Sequence, residues 1–245
     1  MNQPGAAATA LVTGAGRRVG RAIAIDLARA GWRIGVHYRR SEAEAAGVVA
    51  EIGRDGGSAA AFQADLARTD QFAPLIRDCA ERLGPVTCLI NSAAHYDWDN
   101  LQSMGLESWE THLDIDLRAP VFLTQAFAAL LPETETGNVI NLIDQKVWRL
   151  NPDFFSYTIA KSALWTATQT MAQALSPRIR VNAIAPGPVL PSHRQSQAEF
   201  EVECHDTPLG RGATLEEICA AIRFLLATPS ITGQMIAIDG GQHLG

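Results

Sequence analysis

Short apolar segments alternate along the chain with longer segments whose apolar residues recur every three or four positions. Most short segments are flanked by Gly, Pro or Asn and several are rich in Val and Ile, which is typical of buried strands. In the longer segments the spacing places residues such as Ile23 and Leu27 on one face of a helix. The predicted strands are Ala8–Val12, Trp32–His37, Ser58–Gln63, Val86–Asn91, Asn138–Ile143, Arg178–Ile184 and Gln234–Ile238. The predicted helices are Val19–Ala30, Glu42–Arg54, Asp70–Leu83, Leu106–Leu131, Ser156–Leu175 and Leu215–Ala227.

The alternation of strands and helices predicts the fold class. It implies a parallel sheet with helices on both faces, so we expect an α/β, doubly wound Rossmann fold with a seven-stranded parallel sheet. A chain of 245 residues can also form two smaller domains. No repeat or linker-like stretch divides this one, so we predict a single domain over residues 1–245. Ligands of such sheets bind outside the carboxyl ends of the strands, and candidate site residues are therefore expected there.

Composition and charge narrow the class of protein. Hydrophobic residues make up 47% of the chain, which is enough for a large buried core, and 20 basic against 26 acidic residues give a net charge of −6. An acidic chain is a poor partner for nucleic acid. The N-terminus lacks the pattern of a signal peptide, and no apolar run reaches the roughly 18–20 residues that span a bilayer. We therefore expect no membrane partner. The cysteines are Cys79, Cys88, Cys204 and Cys219, and none of them forms a C-x-x-C pair. We therefore expect reduced thiols, no metal site and a cytoplasmic protein.

The first predicted strand is followed by a glycine-rich loop, Thr13–Gly20, that opens directly into a helix. Glycines let a backbone turn sharply and approach a pyrophosphate closely, and the helix start supplies unpaired N–H groups and the positive end of a dipole. The position of the loop favours nucleotide binding. An ordinary strand-to-helix turn with incidental glycines is the alternative.

The end of the second strand indicates which nucleotide binds. An NAD site usually places an acidic residue about 20 residues beyond the loop, on the ribose hydroxyls. Here the strand ends in His37, Tyr38, Arg39, Arg40 and Ser41, without an acid. Two guanidinium groups and a serine, joined by Arg17 of the first loop, suit a ribose 2′-phosphate. We therefore predict NADP(H) as the cofactor, against the alternative that these arginines are only solvated.

Motifs along nearly the whole chain resemble those of the short-chain dehydrogenase/reductase family. They are Thr13–Gly20, Asp65-Leu66, Asn91 to Ala94, Tyr157-x-x-x-Lys161, Pro186-Gly187, Pro208 to Arg211 and Asp239 to Gly241. The resemblance implies an NADPH-dependent oxidoreductase. The cofactor-binding residues that it and the two strand ends indicate are Gly14, Arg17, Arg18, Val19, His37, Tyr38, Arg39, Arg40, Ser41, Asp65, Leu66, Asn91, Ala93, Tyr157, Lys161, Pro186 and Gly187.

Within the family, three features are similar to the pteridine reductases, which include dihydromonapterin and dihydrofolate reductases of this fold. Arg18 stands where most members have the middle glycine of the loop. The stretch from His37 to Ser41 is similar to their 2′-phosphate segment. Asp144 stands where most members carry the catalytic serine, 13 positions before Tyr157. The resemblance therefore implies reduction of a dihydropterin or dihydrofolate.

The resemblance also implies the catalytic roles. Tyr157 would transfer a proton, while Lys161, four residues later on the same helix face, would hold the nicotinamide ribose and tune Tyr157. A carboxylate at Asp144 repels an oxyanion but accepts hydrogen bonds from N–H groups, which a pterin presents and a ketone does not. Our hypothesis is that Asp144 selects a pterin-like heterocycle and keeps Tyr157 protonated. The alternative is that Asp144 only caps the next loop.

Asp116 is a second departure from the family. Most members have an asparagine in this helix, which supports the catalytic lysine through a water; Asp116 would take that place and interact directly with Lys161. For the substrate, the resemblance implies an aromatic residue that stacks on the pterin. Tyr96 is the candidate, with His95 and Trp98 as rivals, and Trp148 and Phe154 are further candidates for the pocket wall.

The segment from about 190 to 207 is polar and corresponds to a substrate lid in this family, although a plain variable loop fits the sequence equally well. Family members are commonly tetramers, so a homotetramer is expected. An NADP(H)-dependent carbonyl reductase acting on a 3-oxoacyl thioester, sugar or steroid ketone is the main alternative function. A cofactor-binding regulator without turnover is the third, and the intact Tyr157 and Lys161 argue against it.

Overall fold

The computed structural model describes residues 8–192 and 194–245, and one sheet takes up all the predicted strands. The sheet contains seven parallel strands in the order β3-β2-β1-β4-β5-β6-β7. The strands are β1 (Thr9–Val12), β2 (Arg33–Tyr38), β3 (Ala59–Gln63), β4 (Val86–Asn91), β5 (Gly137–Leu142), β6 (Ile179–Pro186) and β7 (Met235–Ile238). The predicted doubly wound α/β fold is therefore confirmed, and the observed strand bounds lie within two residues of the predicted ones.

Eight α-helices lie within the described residues and connect these strands. They are α1 (Arg18–Arg29), α2 (Glu42–Arg54), α3 (Phe72–Leu83), α4 (Leu106–Leu113), α5 (Ala119–Leu130), α6 (Phe155–Leu175), α7 (Gln197–His205) and α8 (Leu215–Ala227). Short 3₁₀ turns occur at Thr69–Gln71, Gln145–Val147 and Gln242–Leu244. No helix among the described residues is both long and apolar enough to cross a membrane.

Apolar side chains fill the space on both faces of the sheet. Successive strand residues point to opposite faces, so Ala10 and Val12 pack with α1, α2 and α8, whereas Leu11 packs with α3 and α5. All three of these side chains are fully buried. Of the cysteines, Cys79, Cys88 and Cys219 are buried in these layers, and all four are free thiols.

The prediction of one helix over Leu106–Leu131 is wrong in its middle. The helix α4 ends at Leu113, a single π-helical turn covers Asp114–Arg118, and α5 begins at Ala119. Pro120 at the start of α5 has no N–H to donate to the preceding turn, which favours an irregular hydrogen-bond pattern there. The turn buries Asp116 completely. A regular apolar period cannot reveal this turn, because the residues around it keep a helical spacing.

Helix α7 was not predicted, because it has neither a buried residue nor an apolar stripe. A reciprocal capping pair marks its start instead: the Ser196 hydroxyl accepts the N–H of Glu199, and the Glu199 carboxylate accepts the N–H of Ser196. Thr214 and Glu217 form the same pair at α8. The Ser-x-x-Glu spacing was the available signal.

The order of the strands reverses between β1 and β4, which lie side by side although β2 and β3 come between them in sequence. The polypeptide leaves β1 toward α1 on one face of the sheet, and the segment after β4 leads to α5 on the other. A crevice therefore opens at the carboxyl ends of these two strands, where ligands of this architecture bind.

Candidate active site

The glycine-rich loop lies at the floor of this crevice. Gly14 has a φ of +65°, and a Cβ atom there would lie 2.9 Å from the Cα of Ala93. Gly20 approaches the loop as closely, since a Cβ would lie 2.5 Å from the Gly14 carbonyl oxygen. The Thr13 hydroxyl accepts hydrogen bonds from the N–H groups of Ser92 and Ala93. The ends of β1 and β4 are thereby held together at a distance that only glycine permits.

His37 lies beneath the loop and contributes to the lining of the crevice only from there. Its Nδ1 accepts the N–H of Gly14 at 3.1 Å, and its Nε2 lies 3.1 Å from the Ala64 carbonyl oxygen. The side chain is 2% exposed, and burial lowers its pKa to about 4. The imidazole is therefore neutral at physiological pH, with Nε2 as the donor and Nδ1 as the acceptor. The predicted cofactor residue His37 thus supports the loop from behind.

Several arginines lie around the mouth of the crevice. Arg39 and Arg40 are exposed and line it from the end of β2. Arg17 pairs with Glu44 of α2. Arg18 has a φ of +51°, in the region that glycine favours, and its guanidinium donates to the carbonyl oxygens of Leu190 and Pro191 at 3.2 and 2.9 Å. Arg18 therefore connects the loop to the segment predicted as a lid.

One cleft of about 870 Å³ brings together most of the predicted site residues. They are Gly14, Arg17, Arg18, Val19, His37, Tyr38, Arg39, Arg40, Ser41, Leu66, Ala93, Tyr96, Asp144, Tyr157, Pro186 and Gly187. Five others do not line it: Asp65, Asn91, Asp116, Trp148 and Lys161. The cleft also contains Asp97, Ile115, Ile143 and Val189, which sequence reasoning missed because nothing in their local pattern distinguishes them.

Two of the residues outside the cleft have local structural roles. The Asp65 Oδ1 accepts the N–H of Ala67, which shapes the turn that brings Leu66 into the cleft. The Asn91 amide donates to Asn141 Oδ1 at 2.8 Å, and Asn141 in turn donates to the Thr168 hydroxyl at 2.9 Å. These buried amides link β4, β5 and α6 behind the site.

The catalytic candidates Tyr157 and Asp144 are in direct contact. The Tyr157 hydroxyl donates to Asp144 Oδ2 at 3.0 Å, and Asp144 Oδ1 accepts the N–H of Lys146 at 2.8 Å. Burial raises the pKa of Asp144, against the opposing effect of these hydrogen bonds. The pKa of Tyr157 lies well above its usual value of 10, because of burial first and then the charges of Asp144 and Asp116. Tyr157 is therefore held as a phenol.

Lys161 lies behind Tyr157 in an ion pair with Asp116. Its Nζ is 3.2 Å from Asp116 Oδ1 and donates to the Leu142 carbonyl oxygen at 2.9 Å. Asp116 Oδ2 accepts the N–H of His95 at 3.2 Å. Burial raises the pKa of Asp116 to about 6, although Lys161 opposes this. The predicted direct interaction between these two side chains is thus present.

A buried polar cluster holds the start of α6 next to Tyr157. Asp99 accepts the N–H and the hydroxyl of Ser156 and, at 2.9 Å, the hydroxyl of Ser108. Nδ1 of the buried His112 lies 2.8 Å from the Ser156 hydroxyl. Burial favours the neutral form of Asp99, but these hydrogen bonds lower its pKa below its usual range. The cluster fixes Ser156, and therefore the next residue, Tyr157.

Of the aromatic candidates for the substrate pocket, Tyr96 lines the cleft, whereas Phe154 and Trp148 do not. The Tyr96 ring stacks on Phe154 with centroids 4.3 Å apart and planes at 10°, and it meets the Tyr157 ring edge-on at 4.9 Å. Of the two rivals of Tyr96, Trp98 lies outside the cleft and its exposed side chain donates to Asp153. His95 lines the cleft beside Tyr96, and its ring packs against His112. Trp148 is 43% exposed and packs on His243.

The segment predicted as a lid borders the cleft. Arg194 donates to Asp97 at 2.8 Å, and Gln195 donates to Glu203 of α7 at 2.8 Å. His193, which belongs to this segment, lies outside the described residues. Leu190, Ser192 and Gln195 line the cleft. The segment thus borders the site as the resemblance implies.

Comparisons with known proteins indicate which proteins this chain is similar to. The family model described as "Enoyl-(Acyl carrier protein) reductase" matches residues 14–243. The curated 3-oxoacyl-[acyl-carrier-protein] reductase of Synechocystis sp. is 35% identical over 239 residues, which cover 96% of this chain and 96% of that protein. Both names describe reductases of groups attached to an acyl carrier protein.

Two solved structures are similar over almost their whole length. The crystal structure of FolM alternative dihydrofolate reductase 1 from Brucella canis, complexed with NADP, has a TM-score of 0.95 and 45% identity, covering 98% of this chain and 95% of that chain. The angucycline C-6 ketoreductase LanV with bound NADP has a TM-score of 0.89 and 30% identity, covering 97% and 96%. Both neighbours are reductases crystallised with this cofactor.

Proposed function

This chain belongs to the short-chain dehydrogenase/reductase family, and we propose that within it the protein is an NADPH-dependent reductase of a pterin-type substrate, a dihydropterin or dihydrofolate. The family membership and the use of NADP(H) are common to the chain and its relatives. What we propose in addition is that the substrate is a pterin and not a carbonyl compound.

The residues of the crevice fit NADP(H). The close approach of Gly14 to Ala93 leaves backbone surface open to a pyrophosphate, and the first turn of α1 directs N–H groups toward it. Arg39, Arg40 and Ser41 offer two cations and a hydroxyl for a 2′-phosphate. When bound, the cofactor supplies the hydride. Pro186 and Gly187 border the opposite end of the cleft, close to Tyr157 and Asp144, where the nicotinamide belongs.

Tyr157 is the proton donor in this proposal. A dihydropterin gains a hydride at a ring carbon and a proton at a ring nitrogen, and a buried phenol that faces the cleft can deliver that proton. Tyr96, stacked on Phe154, presents an aromatic surface beside Tyr157 for the flat heterocycle. Lys161 lies behind Tyr157, paired with Asp116, and the Asp99 cluster fixes the position of Tyr157.

The observation that carries the proposal is the carboxylate of Asp144 in the cleft, 3.0 Å from the Tyr157 hydroxyl. A carboxylate accepts hydrogen bonds and donates none, so it can hold the amino or ring N–H groups of a pterin. The same charge opposes an oxyanion that develops on a ketone. The identity of 45% to a dihydrofolate reductase crystallised with NADP supports this choice.

A carbonyl reductase is the second candidate. It is favoured by the name of the curated 35% identical relative, a 3-oxoacyl-[acyl-carrier-protein] reductase, and by the ketoreductase among the structural neighbours. The two candidates share Tyr157, Lys161 and the cofactor site. They differ in what Asp144 must do, which makes substrate turnover the deciding experiment.

The test is the consumption of NADPH, followed by its absorbance, with dihydrobiopterin, dihydromonapterin, dihydrofolate and a panel of ketones and 3-oxoacyl thioesters. We expect at least one of the three reduced pterins to give a kcat/KM well above that of every carbonyl compound. Efficient turnover of a carbonyl compound, with slow or no turnover of all three pterins, would replace the proposal by its alternative.

We further propose that the protein works as a homotetramer in the cytoplasm, as the family resemblance implies. Exposed apolar side chains on the outer faces of α5 and α8, such as Phe122 and Phe224, offer surface for contacts between copies. Light scattering on the eluting protein measures its mass directly. A mass of four chains is expected, and a monomer would contradict the expectation.

A further inference from the structure

Tyr157 and Lys161 lie between two carboxylates, and only one of these is in the cleft. Asp144 borders the substrate region, whereas Asp116 is fully buried behind Lys161 on the π-helical turn. Asp116 cannot touch a substrate in this position. Its carboxylate and the Lys161 ammonium, which is 2% exposed, form a pair that is almost completely removed from solvent.

The direction of the Lys161 ammonium is set by its closest partners. Nζ lies 3.2 Å from Asp116 Oδ1 and 2.9 Å from the Leu142 carbonyl oxygen, but 5.6 Å from the centroid of the Tyr157 ring. The Tyr157 hydroxyl in turn donates to Asp144. An ammonium lowers the pKa of a nearby phenol, but a carboxylate closer to the ammonium neutralises its charge and weakens this effect.

The other groups that face Tyr157 do not replace that charge. Tyr96 is neutral, and its own pKa is raised by burial and by Asp144. The ring of His112 lies 6.1 Å away at the centroid, and burial lowers its pKa. Asp144 and Asp116 are the acids near the hydroxyl, and both raise the pKa of Tyr157. Lys161 is the cation of this set, and Asp116 is its ion-pair partner.

We propose that Asp116 is a positioning residue for the reaction. By pairing with the Lys161 ammonium, it keeps that charge from acting on Tyr157. Tyr157 therefore remains a phenol and can donate its proton in alkaline as well as neutral solution. The proposal rests on the proposed function in so far as it takes Tyr157 as the proton donor. The asparagine that most family members have at this place would leave Lys161 free to stabilise the phenolate. Asp116 therefore adapts the shared Tyr and Lys pair to acid catalysis.

The test replaces Asp116 by asparagine, which has the same shape and can still accept the N–H of His95. Asp114→Asn is the matched control, because Asp114 is on the same turn but pairs with Arg118 at the surface. The first measurement is an ultraviolet titration of the phenolate, taken as the difference between each protein and the same protein carrying Tyr157→Phe. The chain has three tyrosines, so the difference isolates Tyr157.

We expect the pKa of Tyr157 to fall by about one to three units in Asp116→Asn and to stay unchanged in Asp114→Asn. The second measurement is the pH profile of NADPH-dependent reduction with the best substrate of the panel. The loss of rate in alkaline solution should begin about one to three units lower in Asp116→Asn. A purely structural role would lower the rate at every pH and leave the profile in place.

An unchanged Tyr157 titration in folded Asp116→Asn would overturn the proposal. If that variant does not fold, Asp116→Ser, which also removes the charge, is measured in the same way with the same two outcomes. The titration needs no substrate, so it decides the role of Asp116 even if none of the pterins is turned over. In that case the proposed substrate class fails, whereas the inference about Asp116 stands or falls separately.

Discussion

The hydroxyl of Tyr157 donates a hydrogen bond of 3.0 Å to Asp144 Oδ2, so the proposed proton donor is in contact with the residue proposed to select the substrate. The N–H of Lys146 holds the other oxygen of Asp144. The two roles considered for Asp144, capping the next turn and acting in the site, are therefore served by different oxygens of one carboxylate. The cap fixes the direction in which the second oxygen meets Tyr157 and the substrate.

The 2′-phosphate assignment predicts a change in cofactor preference. Arg39→Ala and Arg40→Ala each remove a charge-assisted contact, so each should weaken NADPH binding by roughly 10- to 100-fold and leave NADH binding almost unchanged. Fluorescence titration with the two cofactors measures this. Arg54→Ala, at the exposed end of α2, is the control for a general loss of positive charge and should change neither affinity. Equal weakening of NADPH and NADH would argue against the assignment.

We expect the substitution of glycine by alanine to be unfavourable at Gly14 and favourable at Gly47. Gly14→Ala puts a Cβ 2.9 Å from the Cα of Ala93 at a positive φ, so it should destabilise the loop and weaken NADPH binding at least tenfold. Gly47→Ala in α2 meets nothing within 4 Å and should raise the free energy of unfolding by about 0.5–1 kcal/mol. Thermal unfolding and cofactor titration of both variants test this. Normal NADPH binding by Gly14→Ala would contradict the account of the loop.

The sheet could be predicted from sequence because its strands are short, apolar and separated by helices of regular spacing. The π-helical turn at Asp114–Arg118 could not, since the apolar period continues through it and only the tertiary structure shows that Asp116 points inward. Helix α7 has no apolar face, so its only signal was the capping pair of Ser196 and Glu199.

For the site, the motifs indicated which strand ends lie together, but they did not indicate which atoms each side chain contacts. His37 was predicted as a cofactor residue because it lies in the motif; the structure adds that its ring also supports the loop from beneath, through Gly14 and Ala64. Trp148 was predicted to line the pocket, but its ring lies on His243 outside the cleft. The cluster of Asp99, Ser156 and His112 joins residues more than 40 positions apart, which no local pattern reveals.

His37 predicts a pH dependence of stability. Burial lowers its pKa from 6.5 to about 4, so the neutral ring contributes stability above pH 6.5 that is lost as the pH falls toward 4. His37→Phe leaves the Gly14 N–H without its acceptor and should cost about 1–3 kcal/mol at neutral pH. The variant should also lose less stability than the wild type between pH 6.5 and 4. Urea unfolding at several pH values measures both effects.

The control for this experiment is His205→Phe, since His205 is exposed on α7. This variant should unfold with the same pH dependence as the wild type. A His37→Phe protein whose stability follows the wild-type pH profile would show that the ring is not held as a neutral acceptor beneath the loop.

The most direct test of the central claim is the kcat/KM of Asp144→Ser for a dihydropterin and for a ketone, each compared with the wild type. The serine restores the residue that most of the family carries, and Asp153→Ser, in an exposed loop nearby, is the control. We expect dihydropterin kcat/KM to fall roughly 10- to 100-fold through the loss of a charged hydrogen-bond acceptor, while ketone turnover rises or holds. Unchanged dihydropterin turnover by Asp144→Ser would contradict the assignment of Asp144 as the residue that selects a pterin.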